Sequence, residues 1–122
     1  MPKLIEMDDT VALSQQMQAS VGPVVLINKF SVAAADVDRF LAAWTADAAV
    51  MKRQPGFIDT QLHRGIAGSG VLVNVATWES VEHFRQAFAS PEFRASLGAY
   101  PESATASPHL FTRVAVPGIC VA

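Results

Sequence analysis

The sequence predicts an α+β domain, one antiparallel sheet with helices on one of its faces. Three observations predict it. Apolar, β-branched runs alternate with helical stretches in the order strand, helix, strand, strand, helix, strand. Turn chemistry separates them, at Gly22-Pro23, Pro55-Gly56, Gly65 to Gly70, Ser90-Pro91 and Pro117-Gly118. Hydrophobic residues make up 51% of the 122 residues and charged residues 16%, so one domain can fill its core with apolar surface to spare.

Residues 1–22 read as an N-terminal arm outside the core domain. Thr10 to Ala19 has the makings of a short helix capped by Asp9 or Thr10, but its apolar positions, Val11, Leu13 and Met17, are few. Val24 to Phe30 is a continuous apolar run and reads as a strand buried on both faces. A helix is expected from about Ala34 to Arg53. Val37, Phe40, Leu41, Trp44, Ala48 and Met51 form its apolar stripe, with Asp36, Asp38, Arg39 and Asp47 mostly off it.

Phe57 to Arg64 reads as a second strand and Val71 to Thr77 as a third. Between them the glycines of residues 65–70 suit a hairpin loop. Ser80 caps a second helix with Glu82 in its first turn, and Phe84 and Phe88 lie four apart on its face. Ser90-Pro91 opens a short third helix that Gly98 ends. His109 to Val116 is the expected last strand. The domain therefore runs over residues 23–117, with a tail at 118–122.

This order is the split β-α-β unit of ferredoxin-like folds. With helices on one face, Val25, Ile27, Val71, Val73 and Val75 point to the other. An uncovered apolar sheet face calls for a second copy, so a homodimer forming a dimeric α+β barrel is expected.

Composition also excludes several classes. A net charge of −2 offers no basic surface for nucleic acid. Cys120 is the only cysteine, which rules out an internal disulfide and a Cys-based zinc site. No run reaches membrane-spanning length, and Glu6, Asp8 and Asp9 spoil the N-terminus as a secretory signal. A cytoplasmic protein with no membrane partner is expected. No His-rich or Cys-rich cluster suggests a metal, and no Gly-rich loop between strand and helix suggests a nucleotide.

Strand parity picks out the candidate site. Asn28 shares a face with Leu26 and Phe30, and Asn74 shares one with Leu72, Ala76 and Trp78. If both faces look toward the helices, Asn28, Asn74 and Trp78 line one space, closed by Trp44, Met51, Phe84 and Phe88. An aromatic slot with a few amides suits a planar ligand. His63 is the candidate for proton transfer near neutral pH. The blander reading makes the tryptophans core and the asparagines partners of backbone groups.

Ile27-Asn28-Lys29-Phe30, Gln54-Pro55-Gly56-Phe57, Leu62-His63-Arg64 and Asn74 to Ser80 resemble the antibiotic biosynthesis monooxygenase domain, of the dimeric α+β barrel superfamily. The likeness runs from about Pro23 to Pro117. It implies a cofactor-independent monooxygenase that oxidises an electron-rich aromatic, of the anthrone or quinol type, with dioxygen. Asn74 and Trp78 match that family's spacing, while a tyrosine used by such enzymes falls near Phe84. The implied roles are amide donation from Asn28 and Asn74 to a developing oxyanion, stacking by Trp78, and proton removal by His63 or by a substrate phenolate.

A haem-degrading branch of the superfamily also uses an asparagine where Asn28 stands. Its tryptophan and histidine positions fall near Ala87 and Leu97, so the resemblance disfavours haem. A different small-molecule enzyme on the same fold and a non-catalytic ligand-binding or interaction domain are also compatible with the sequence. An open cavity with Asn74 and Trp78 on its wall separates an enzyme from a non-catalytic domain.

Overall fold

The computed structural model describes residues 1–122. Its strands are β1 (Lys3–Leu4), β2 (Val24–Ser31), β3 (Phe57–Arg64), β4 (Val71–Trp78) and β5 (Thr105–Phe111). Its helices are α1 (Leu13–Gln16), α2 (Val37–Lys52), α3 (Val81–Phe88) and α4 (Pro91–Ser96). The strands form one sheet in the order β1-β5-β2-β4-β3. Within it β2, β3, β4 and β5 pair antiparallel, as the ferredoxin-like order requires. The helices pack on one face of the sheet. None is long and apolar enough to cross a membrane.

Local chemistry sets the boundaries. Ser80 accepts the backbone N–H of His83 and so caps α3, with Glu82 in the first turn. Ser90 caps α4 in the same way through Phe93, with Pro91 opening the helix. The helix expected from Ala34 begins as a 3-10 turn, Ala34–Asp36, before α2 proper. Gly56 must be glycine. Its φ is +85°, and a Cβ there would run into the His83 ring.

Parity holds along the strands. Val24, Leu26, Phe30, Leu72, Ala76 and Trp78 are buried under the helices. Val25, Ile27, Val71, Val73 and Val75 alternate with them and are half-buried on the opposite face.

Two expectations need correction. The last strand is Thr105–Phe111, not His109 to Val116. Val114 and Val116 look strand-like but are exposed, whereas Ala104, Ala106 and Pro108 are buried, and burial decides which segment pairs. Pro108 is tolerated because β1 reaches only Thr105 and Ala106, so past that point β5 is an edge that needs no further donor.

The arm is part of the fold. β1 extends the sheet alongside β5, and α1 is shorter than expected and begins after Ala12. Leu13 is buried, and Gln16 Oε1 accepts the Leu110 N–H at 2.7 Å. Arg85 donates to the Met17 carbonyl at 2.6 Å.

The core has two parts. One groups Phe30, Val32, Val37, Phe40, Leu72 and Tyr100 with three alanines. The other groups Val24, Leu26, Trp78, Val81 and Phe84 with two. Along β2 the row Val24, Leu26, Asn28, Phe30 is broken at Asn28, and along β4 the row Leu72, Asn74, Ala76, Trp78 is broken at Asn74. These two asparagines are direct cross-strand neighbours, so both strands interrupt the apolar face at one level.

Candidate active site

Where the core parts, a cavity of about 120 Å³ opens between sheet and helices. A single water needs about 10–15 Å³, so this space has room for much more than one. Sixteen of its 22 lining residues are hydrophobic, which selects an apolar ligand. The remaining six are Asn28, Asp47, Thr60, Asn74 and two prolines. No Lys, Arg or His side chain lines it, so it offers no side-chain cation for an anionic ligand and no imidazole for a haem iron. No group of three His, Cys, Asp or Glu side chains in the chain is arranged to hold a metal ion.

The strands supply the floor. Thr60 on β3 donates to Asn74 Oδ1 at 2.5 Å. A β-bulge between Phe57 and Asp59 shifts the register of β3, and Phe57 and Thr60 both reach the cavity. With its oxygen engaged, Asn74 is left with its NH2 group to donate. Asn28 Oδ1 and Trp78 Nε1 are sealed from bulk water and have no hydrogen-bond partner. An unmet buried acceptor and an unmet buried donor each carry a desolvation penalty of about 1–3 kcal/mol, which a ligand with matching groups removes.

Trp78 is 1% exposed and held edge-on by Phe57 and Phe84, with ring centroids 5.5 and 5.8 Å away. It is therefore a core residue whose N–H is left without a partner. The unpartnered atoms are the Trp78 N–H, a donor, and the Asn28 Oδ1, an acceptor.

The roof is helical and apolar, with Trp44, Ala48 and Met51 from α2, and Phe84 and Phe88 from α3. All the predicted contact residues, Trp44, Met51, Phe84 and Phe88, line the cavity, as do Asn28, Asn74 and Trp78. His63 does not. It is exposed on the far face of β3, with its ring near the Val73 carbonyl, because it alternates with the inward Leu62.

The roof also holds a pair that strand parity had no means of finding. Tyr100 donates to Asp47 Oδ2 at 2.6 Å, and both residues line the cavity. Burial raises the Asp47 carboxyl to about 6, with the Tyr100 hydrogen bond pulling against that rise. Burial, then the charge of Asp47 and the bond to it, push the Tyr100 hydroxyl up. The signal for Asp47 was its spacing. It lies three residues after Trp44 and four before Met51, on the stripe rather than off it.

Comparison with known proteins identifies the frame. A family model described as antibiotic biosynthesis monooxygenase matches residues 23–98. The chain belongs to the antibiotic biosynthesis monooxygenase family. It is 33% identical over 89 residues to deoxynogalonate monooxygenase of Streptomyces nogalater, covering 73% of this chain and 75% of that protein. The fold matches that of SnoaB, a cofactor-independent oxygenase from Streptomyces nogalater, with a TM-score of 0.70 and 30% identity over 80% of this chain and 99% of SnoaB. A protein structure from Shewanella loihica matches at a TM-score of 0.68 and 35% identity, over 80% of this chain and 99% of that one. Family and relatives together make this chain an oxidoreductase of the monooxygenase class.

Proposed function

We propose that this monooxygenase oxidises an electron-rich planar aromatic, of the anthrone or quinol type, with dioxygen and no metal, flavin or haem. The observation that carries the proposal is an apolar cavity with Asn28, Asn74 and Trp78 on its lining, in which the buried Asn28 Oδ1 and Trp78 Nε1 have no hydrogen-bond partner. They ask for a ligand that is mostly flat hydrocarbon and bears both a hydroxyl and a carbonyl-type oxygen. Deoxynogalonate monooxygenase and the cofactor-independent oxygenase SnoaB, as relatives, support the same chemistry.

The electrons balance without a cofactor. An anthrone loses one proton from its CH2 carbon to give an anion. That anion passes one electron to dioxygen, and the radical and superoxide combine into a carbon-bound peroxide. Cleavage of the O–O bond with loss of the second hydrogen gives the quinone carbonyl and water. The substrate supplies all four electrons, one oxygen atom enters the product and the other leaves as water.

The protein's part is to make and hold the anion. Charge gathers on the substrate oxygen, where the Asn74 NH2 and the Trp78 N–H are placed to donate. Asn28 Oδ1 takes a substrate hydroxyl, and the apolar roof keeps water from competing.

The test is oxygen uptake with 1,8-dihydroxyanthrone on metal-stripped, flavin-free protein under ¹⁸O-dioxygen. One labelled oxygen in the quinone, with no added reductant, is the expected result. No uptake above the buffer rate would refute the proposal.

We also propose that two copies pack sheet against sheet through Val25, Ile27, Val71, Val73 and Val75. Their half-buried, alternating row on the uncovered face supports this. Light scattering should give the mass of two chains at micromolar concentration, and a single-chain mass would refute it.

A further inference from the structure

We propose that Asp47, held in place by Tyr100, is the general base that removes the substrate's proton. The inference rests on the oxidation proposed above, which needs a base that none of the residues singled out for that role supplies. His63 faces away from the cavity, and the position where related enzymes were expected to place a tyrosine is Phe84. Asp47 is the only carboxylate on the lining, and Tyr100 is the only other ionisable side chain there.

The geometry leaves one oxygen for the task. Tyr100 is the only hydrogen-bond donor to Asp47 and occupies Oδ2, which leaves Oδ1 to accept a proton. The Tyr100 ring is itself fixed, packed 5.3 Å from the Phe40 ring centroid and 6.3 Å from that of Phe30. A side chain locked in this way positions the carboxylate, and makes Tyr100 a positioning residue.

The proton ledger closes. The substrate's C–H bond breaks, its electron pair stays on the carbon framework, and an Oδ1–H bond forms. Asp47 returns that proton to the peroxide, takes the second C–H proton as the O–O bond breaks, and delivers it to the departing hydroxide as water. The carboxylate ends as it began.

Its titration suits the role, since burial raises the carboxyl to about 6 and a base should titrate near working pH. The elements packed on α2 do not disturb it. Glu92 and Arg94 of α4 and Asp59, His63 and Arg64 of β3 are exposed and off the lining, and Asp36 before α2 pairs with Arg39. Burial and Tyr100 set the value.

The test combines turnover with anaerobic ionisation of 1,8-dihydroxyanthrone on the same proteins. For the wild type, kcat/KM should rise through a limb near pH 6, and the bound anthrone should show the anion spectrum without oxygen. Asp47→Asn keeps the shape and an acceptor for Tyr100. It should lose on the order of 10²–10⁴-fold in turnover, lose that limb, and bind the anthrone in its neutral form. Tyr100→Phe should lower turnover by about threefold to tenfold, as loss of a positioning hydrogen bond does, and move the limb to higher pH, because that bond holds the Asp47 value down.

If Asp47→Asn keeps the limb, or ionises the anthrone as the wild type does, the assignment is overturned. A wild type that leaves the anthrone neutral at every pH overturns it as well. A wild type that ionises the anthrone but consumes no oxygen upholds the base and refutes the oxidation.

Discussion

The floor and the roof of the cavity are built by different means. The floor is made by β2, β3 and β4, whose cross-strand register sets Asn28 directly opposite Asn74 and brings Thr60 onto the latter's oxygen. Its polar groups are neutral, and two of them lack partners. The roof is made by α2, α3 and the segment after α4, and its polar pair, Asp47 with Tyr100, is ionisable and satisfied at one end. On the proposed mechanism the floor stabilises a charge on the substrate, and the roof creates it.

Four substitutions sharpen or break this contrast. Of the floor substitutions, Asn74→Ala should have the largest effect. Losing a donor to an oxyanion should lower turnover by on the order of 10²–10³-fold with KM little changed. Steady-state oxygen uptake on protein of unchanged melting temperature checks it, and full turnover would remove Asn74 from the floor's chemistry.

Asp47→Asn should stabilise the fold, which no floor substitution does. The sign follows from the shift. The folded carboxyl titrates at about 6 and the ordinary value is 3.8, so the folded state binds the proton more tightly. The contribution of this carboxyl to stability is fully present below about pH 4 and is lost as pH rises through about 6. Removing the charge should restore on the order of 3 kcal/mol at pH 8 and nothing at pH 3. Denaturant melts of both proteins at the two pH values measure it. Equal stability at pH 8 would mean that the carboxylate is not strained by burial.

Trp78→Phe keeps the apolar body and removes the N–H. Turnover should fall by about tenfold or somewhat more, the scale of one hydrogen bond to a charged group. If oxygen uptake is unchanged, the unmet indole donor has no ligand to serve. Thr60→Val should have the smallest effect, about threefold to tenfold on turnover, because it only releases the Asn74 amide from its fixed orientation. A larger loss than for Asn74→Ala would invert the assignment of roles.

The floor was legible in the sequence and the roof only partly. Strand side chains alternate with a period of two, so Asn28, Asn74 and Trp78 could be placed on one face from their neighbours alone. Trp44 and Met51 followed from helical spacing. Asp47 was hidden by an alanine-rich stretch, Ala46 to Ala49, in which small residues blur the edge of the stripe. Tyr100 follows a 3-10 turn, Leu97–Ala99, where no period carries information.

His63 shows the limit of residue type as a guide, since its chemistry was suitable and its parity was not. The same limit moved the last strand. Val114 and Val116 have the composition of a strand, but the pairing belongs to Thr105–Phe111, where small side chains and a proline meet the core. The arm's place beside β5 depends on a contact between Lys3–Leu4 and Thr105–Ala106, about as far apart in sequence as the chain allows.

The most direct test of the claim that both walls serve one ligand is a crystal structure with a bound hydroxyanthraquinone. The account predicts a ring lying between sheet and helices. One carbonyl oxygen should sit within about 3 Å of both Asn74 Nδ2 and Trp78 Nε1, with a hydroxyl on Asn28 Oδ1 and the opposite ring carbon facing Asp47 Oδ1. A ring bound outside the cavity, or one whose carbonyl turns to the apolar roof while both orphaned atoms stay unpaired, would contradict it.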